Sequence, residues 1–128
     1  MKEITAVIRI NMVNQTKDAL AKEGFPAFTC LKVSGRGKKK VDYQEMAEAL
    51  LKQTNIPGPV AEAVSEERRL LPKRMISITV PDEEAQKVID TIIRINQTGN
   101  PGDGKIFVQS IAEAIRVRTG EVGEQAII

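Results

Sequence analysis

Met75-Ile76-Ser77-Ile78-Thr79-Val80-Pro81-Asp82-Glu83-Glu84-Ala85-Gln86-Lys87-Val88-Ile89-Asp90-Thr91-Ile92-Ile93 changes its hydrophobic period part-way along. Ile76, Ile78 and Val80 alternate with Ser77 and Thr79, the period of two of a strand with one face in a core, and Pro81 ends it. Ala85, Val88, Ile89, Ile92 and Ile93 then form a single apolar stripe. That spacing predicts an amphipathic helix, with Asp82 as its cap and Glu83 and Glu84 favourable to the helix dipole.

The same strand-then-helix unit occurs upstream. Ile4, Ala6, Ile8 and Ile10 alternate with Thr5, Val7 and Arg9, which predicts a strand. Met12, Thr16 and Leu20 follow at helical spacing, with Asn11 or Asn14 as cap and Gly24 at the end, so a helix of about three turns is expected. Residues 28–33 are rich in β-formers and run into Ser34-Gly35-Arg36-Gly37, a second strand leading into turn-rich backbone. Downstream, Ile106-Phe107-Val108 and then residues 115–117 supply a last strand region. The order β-α-β, long loop, β-α-β predicts an α+β, ferredoxin-like sandwich with two helices on one face of an antiparallel sheet. The other sheet face needs a cover, and in so small a chain a partner subunit is expected to provide it.

The 128 residues make one domain, 1–128, with a long loop at about 35–71. A loop of that length in a compact domain points to function, and residues 42–51 and 60–69 have helical character within it. No apolar run approaches the roughly 20 residues that span a bilayer, so a soluble cytoplasmic protein without membrane insertion is expected. Cys30, the only cysteine, reads as a small buried hydrophobe. The absence of histidine removes the commonest general base and metal ligand and argues against hydrolytic chemistry. A net charge of +2 and 3% aromatic residues argue against nucleic acid.

Thr98-Gly99-Asn100-Pro101-Gly102-Asp103-Gly104-Lys105 is the sharpest local motif. Its glycines permit close approach of backbone N–H groups to an anion, and Lys105 supplies a countercharge, the physics of a phosphate cradle. Taken alone, a plain turn between helix and strand accounts for it equally well. Arg116 and Arg118 flank Val117 and would share one strand face, able to grip phosphate or to form an ordinary ion pair. Arg36, Lys38, Lys39 and Lys40 form an electropositive loop tip, or simply a solvated loop. Arg68 and Arg69, after Glu66-Glu67, read first as a helix-face charge pattern.

Residues 98–108 (Thr-Gly-x-x-Gly-Asp-Gly-Lys-Ile-Phe-Val), Arg-x-Arg-Thr-Gly-Glu at 116–121 and Ala126-Ile127 closely resemble the C-terminal signature of the PII nitrogen-regulatory signalling family. The first 37 residues and Leu71-Pro72-Lys73 continue the resemblance. It implies a trimer, homotypic or mixed with a paralogue, that binds ATP or ADP between subunits and 2-oxoglutarate beside ATP. It assigns phosphates to Gly102, Asp103, Gly104, Lys105, Arg116 and Arg118, and puts Thr29 and Thr98 near the nucleoside. It frames 2-oxoglutarate with Arg9, Gly37, Lys73 and Gly102. Lys39 stands where the family carries a magnesium-ligating glutamine, so a cation replaces a metal ligand; magnesium use is left open, and Lys39 joins the 2-oxoglutarate set instead.

No tyrosine stands at the loop's usual modification site, so uridylylation is not expected; Tyr43 is taken as a partner contact. The extended loop with Ser-Gly-Arg-Gly-Lys-Lys-Lys at 34–40 resembles the nitrogen-fixation branch of the family, second type. That branch implies control of the dinitrogenase component of nitrogenase through Arg36, Lys38, Lys39, Lys40, Tyr43, Arg68 and Arg69. An ammonium transporter is the alternative partner, and a small phosphatase the alternative class.

Overall fold

The computed structural model describes residues 1–37 and 70–128. Strand β1 (Lys2–Ile8) leads through a 3-10 turn, Ile10–Met12, into helix α1 (Val13–Lys22). Strands β2 (Thr29–Gly35) and β3 (Leu71–Val80), helix α2 (Asp82–Asn96) and strand β4 (Lys105–Ser110) follow, and a short 3-10 turn, Gly123–Ala126, lies near the end. The sheet is antiparallel throughout in the order β2-β3-β1-β4. This is the ferredoxin-like α+β sandwich expected from the alternation of periods.

The core lies where those periods direct it. Ile4, Ala6 and Ile8 of β1 and Ile76, Ile78 and Val80 of β3 are buried against Leu20 of α1 and Ala85, Val88 and Ile92 of α2. Each fully buried aliphatic side chain here contributes about 1.5–3 kcal/mol of transfer free energy. One polar contact joins the helices inside this layer: Asn96 Nδ2 donates to Thr16 Oγ1 at 3.0 Å and to the Ile92 carbonyl at 2.9 Å.

Cross-strand register defines the other face. Leu31, Met75, Val7 and Lys105 form one row across the sheet, and Thr29, Ser77, Thr5 and Phe107 the next. Among the described residues no helix covers these rows, and Phe107 is 57% and Leu31 50% exposed.

Four local expectations are corrected. Residues 115–117 are not strand: Ile115 makes one bridge, to Val122, and residues 117–119 turn. Cys30 is exposed rather than buried, because β2 is an edge strand beyond the cover of the helices. Pro81, not Asp82, holds the N-cap position of α2, leaving Asp82, Glu83 and Glu84 in its first turn. Neither Asn11 nor Asn14 caps α1; Met12 does so without a side-chain hydrogen bond. Strand pairing also runs further than the alternation indicated. Gly35 pairs with Leu71 and Ser34 with Pro72, which clamps the two ends of the long segment together. Pro72 is tolerated because β1 pairs with β3 only from Arg74 onward, so no second neighbour asks for its missing N–H.

Candidate functional site

The turn from α2 to β4 is organised by one carboxylate. Asp103 Oδ2 accepts the backbone N–H groups of Thr98 at 2.7 Å and Gly99 at 2.9 Å, and Oδ1 accepts the Thr98 hydroxyl. Arg9, at the end of β1, donates from Nη1 to Asp103 Oδ1 at 2.7 Å and from Nη2 to the Pro101 carbonyl at 3.1 Å. Donation from the Thr98 hydroxyl and N–H, and then from Arg9, holds the Asp103 carboxyl far below the usual carboxylate range. It is a fixed anion whose two oxygens are spent inside the turn.

Lys73 arrives from β3, with its Nζ 3.0 Å from the Gly102 carbonyl. Burial and the neighbouring Arg9 push its pKa down, with Asp103 opposing them. Two cations thus converge beside Gly102, and a Cβ there would lie 3.2 Å from Arg9 Nη2 and 3.7 Å from Lys73 Nζ. The missing side chain leaves the approach to both cations open. Gly104 has a different reason: at φ +121°, a Cβ would sit 2.1 Å from the Val7 carbonyl oxygen, so only glycine lets the turn reach β1. This donor set, two cations around a carboxylate already engaged, fits an anionic group rather than a metal ion. Among the described residues no cluster of three metal-ligating side chains occurs.

Arg9, Lys73, Gly102, Asp103, Gly104, Lys105 and Thr98 therefore meet at one end of the sheet. Thr29 does not join them: it shares the uncovered face, but on β2, the edge opposite β4. Three strand spacings separate those edges, about 14 Å.

Arg116 and Arg118 also part company. Arg116 is folded back, with Nη1 donating to Glu121 Oε1 at 3.1 Å and Nη2 to the carbonyls of Gln125 at 2.9 Å and Ile128 at 2.6 Å. Its backbone N–H donates to the Glu121 carbonyl at 2.8 Å, closing the turn that alternation had read as strand. Arg118 is exposed in that turn. Gly37 and Arg36 are exposed at the end of the first described segment. Lys38, Lys39, Lys40, Tyr43, Arg68 and Arg69, and both expected helical pieces, lie outside the described residues. A cleft of about 380 Å³ backs the turn on the helix side, between Ile92, Ile93 and Asn96 of α2 and Gly104, Lys105 and Ile106.

The family model for "Nitrogen regulatory protein P-II" matches residues 1–121. The chain belongs to the P-II family. P-II proteins are signal-transduction regulators rather than enzymes, which sets the phosphatase alternative aside. They are trimers that bind partner proteins and take ATP or ADP and 2-oxoglutarate as effectors. The chain is 46% identical over 127 residues, 99% of each sequence, to "Nitrogen fixation nifHD1 region GlnB-like protein 2" of Methanosarcina barkeri. It is 45% identical over 128 residues, 100% of each, to the "Nitrogen fixation nifHD region GlnB-like protein 2" of Methanobacterium ivanovii. A "Nitrogen regulatory protein P-II" from Pyropia yezoensis is 35% identical over 127 residues, 99% of this chain and 100% of that one.

Four groups of this P-II protein, two in the turn and two around Arg116, escape a reading of the sequence. The Pro101 carbonyl and the Thr98 hydroxyl act through backbone geometry that residue types do not encode. Glu121 and the carbonyl of Gln125 hold Arg116, for which the sequence reading offered an ordinary ion pair without a partner.

Proposed function

We propose that this P-II protein is a nitrogen-status sensor that binds ATP or ADP at the 98–105 turn and 2-oxoglutarate beside it. The observation that carries this reading is the convergence of Arg9 and Lys73 on Gly102. It puts two cations, one with a lowered pKa, next to a glycine-rich turn whose Asp103 is already engaged. A dicarboxylate in contact with both cations relieves their mutual repulsion, and the nucleotide phosphates take the turn's backbone N–H groups, Lys105, Arg116 and Arg118.

The uncovered sheet face supports a trimer, of identical chains or mixed with a paralogue, in which Thr29 of one copy and the Lys105 turn of the next share a nucleotide. Lys39 in place of the magnesium-ligating glutamine favours direct contact of Lys39 with an effector carboxylate. The partner surface is the loop at about 35–71, clamped at its base by the Gly35–Leu71 pair. The nifHD-region names of the relatives favour the dinitrogenase component of nitrogenase over an ammonium transporter as partner, in the cytoplasm.

The test is calorimetric titration with ATP and with ADP, each with and without 2-oxoglutarate and magnesium. Tightening of ATP but not ADP by 2-oxoglutarate is expected. Absence of nucleotide binding would overturn the reading. Pull-down of dinitrogenase, lost on deletion of residues 38–69, tests the partner.

A further inference from the structure

The three acceptors on Arg116 make it a clasp on the last residues described. A guanidinium presents two bidentate forks to an oxyanion, Nη1 with Nη2 and Nε with Nη2, so both need an Nη2 hydrogen. In this structure both Nη2 hydrogens are committed, one to the Gln125 carbonyl and one to the Ile128 carbonyl. A two-point grip on a phosphate by Arg116 therefore costs at least one of these contacts.

Among the described residues little else restrains that segment. No residue of the 3-10 turn Gly123–Ala126 is buried, and Ile128 is 77% exposed. Outside Arg116, it is tied by the Gly123 N–H to the Ala114 carbonyl at 2.9 Å and by the Ile127 N–H to the Glu124 carbonyl at 3.2 Å. Glu121 on Nη1 adds a negative charge where a phosphate would approach.

We propose that phosphate binding at Arg116 and order in residues 123–128 exclude one another, so that nucleotide occupancy releases this segment. The proposal rests on the nucleotide reading given above. A phosphate oxygen, being charged, is a stronger acceptor than the Gln125 carbonyl and draws the guanidinium from it. Reciprocity then requires the closed segment to weaken nucleotide binding by the same factor by which nucleotide opens it. Arg118, exposed in the adjoining turn, makes the first phosphate contact, and Arg116 is the residue that reports it.

Millisecond hydrogen exchange on the full chain tests this, following Gly123 and Ile127 with and without saturating ATP, in the native protein and in Arg116→Gln. ATP is expected to speed exchange at both amides by about tenfold, while Arg116→Gln shows the fast rate without ATP and no further change with it. Slowed or unchanged exchange at full ATP occupancy overturns the proposal. Unchanged exchange in Arg116→Gln overturns it too, independently of any nucleotide. If calorimetry detects no ATP binding, the nucleotide reading itself has failed, and the clasp is then judged on Arg116→Gln alone.

Discussion

Arg9 and Asp103 stand 94 positions apart in sequence, yet Arg9 Nη1 meets Asp103 Oδ1 at 2.7 Å. The contact ties the end of β1 to the turn that begins β4, and Arg9 is at once an expected effector residue and the holder of the turn. Asp103→Asn keeps the size but removes the charge and replaces one of the two accepting oxygens with a donor. It is expected to weaken ATP by about tenfold, the factor one charge-assisted contact supplies. Arg9→Gln should act less than additively with it, since both break one ion pair, and calorimetry on the single and double variants reads the coupling. Additive losses would mean that the pair does not organise the turn.

The glycines of this turn are not equivalent. Gly104→Ala sets a Cβ on the Val7 carbonyl, and the shift needed breaks the start of the β1–β4 ladder. Gly99, at φ +86°, has no atom within 4 Å of its missing Cβ, so alanine there bears only the backbone penalty. The expected costs are roughly 2–4 kcal/mol for Gly104→Ala and about 1 kcal/mol for Gly99→Ala. Urea midpoints of the two variants measure the difference, and equal costs would contradict the close approach.

The sheet face that carries Leu31, Val7, Met75 and Phe107 supplies a third test. Phe107→Glu places a charge at the β4 edge of that face while leaving the helix-side core untouched. A trimer in sedimentation equilibrium for the native protein and a monomer for the variant are expected, because an unpaired buried charge costs several kcal/mol at each interface. A variant that stays trimeric would show that another surface joins the copies.

These relationships were legible in the sequence to different depths. The periods of Ile4-Ala6-Ile8 and Ile76-Ile78-Val80 carry the fold because the same residues form one buried layer. The Gly-Asp-Gly-Lys turn was legible because its glycines are needed for backbone shape. The task of Asp103 was not, since its partner Arg9 comes from another strand and no local pattern announces it. Arg116 and Arg118 were misread for a related reason: a spacing of two is also met in a tight turn, and Gly120 at φ +74° favours the turn. Cys30 followed its neighbours' hydrophobicity, but β2 lies at the edge, where that pattern no longer implies burial.

Protonation distinguishes the two charged ends of the site. Asp103 has a folded pKa below its ordinary 3.8, so its contribution to stability is complete above that value and is lost as pH falls through the range beneath it. Neutral pH leaves it unchanged. Lys73 is the opposite charge type with the same direction of shift: its folded pKa lies below the ordinary 10.5. Between its folded value and 10.5 the unfolded chain binds more protons, so stability contributed by Lys73 rises with pH across that alkaline window. An anion seated against Lys73 reverses the shift, because it stabilises the ammonium that burial and Arg9 disfavour. Binding of 2-oxoglutarate in the presence of ATP is therefore expected to draw in a fraction of a proton at alkaline pH and none near pH 7. Titrations in two buffers of different ionisation enthalpy measure that uptake, and Lys73→Arg, which stays charged, should abolish it. Equal heats in both buffers at alkaline pH would show that the effector carboxylate does not rest on Lys73.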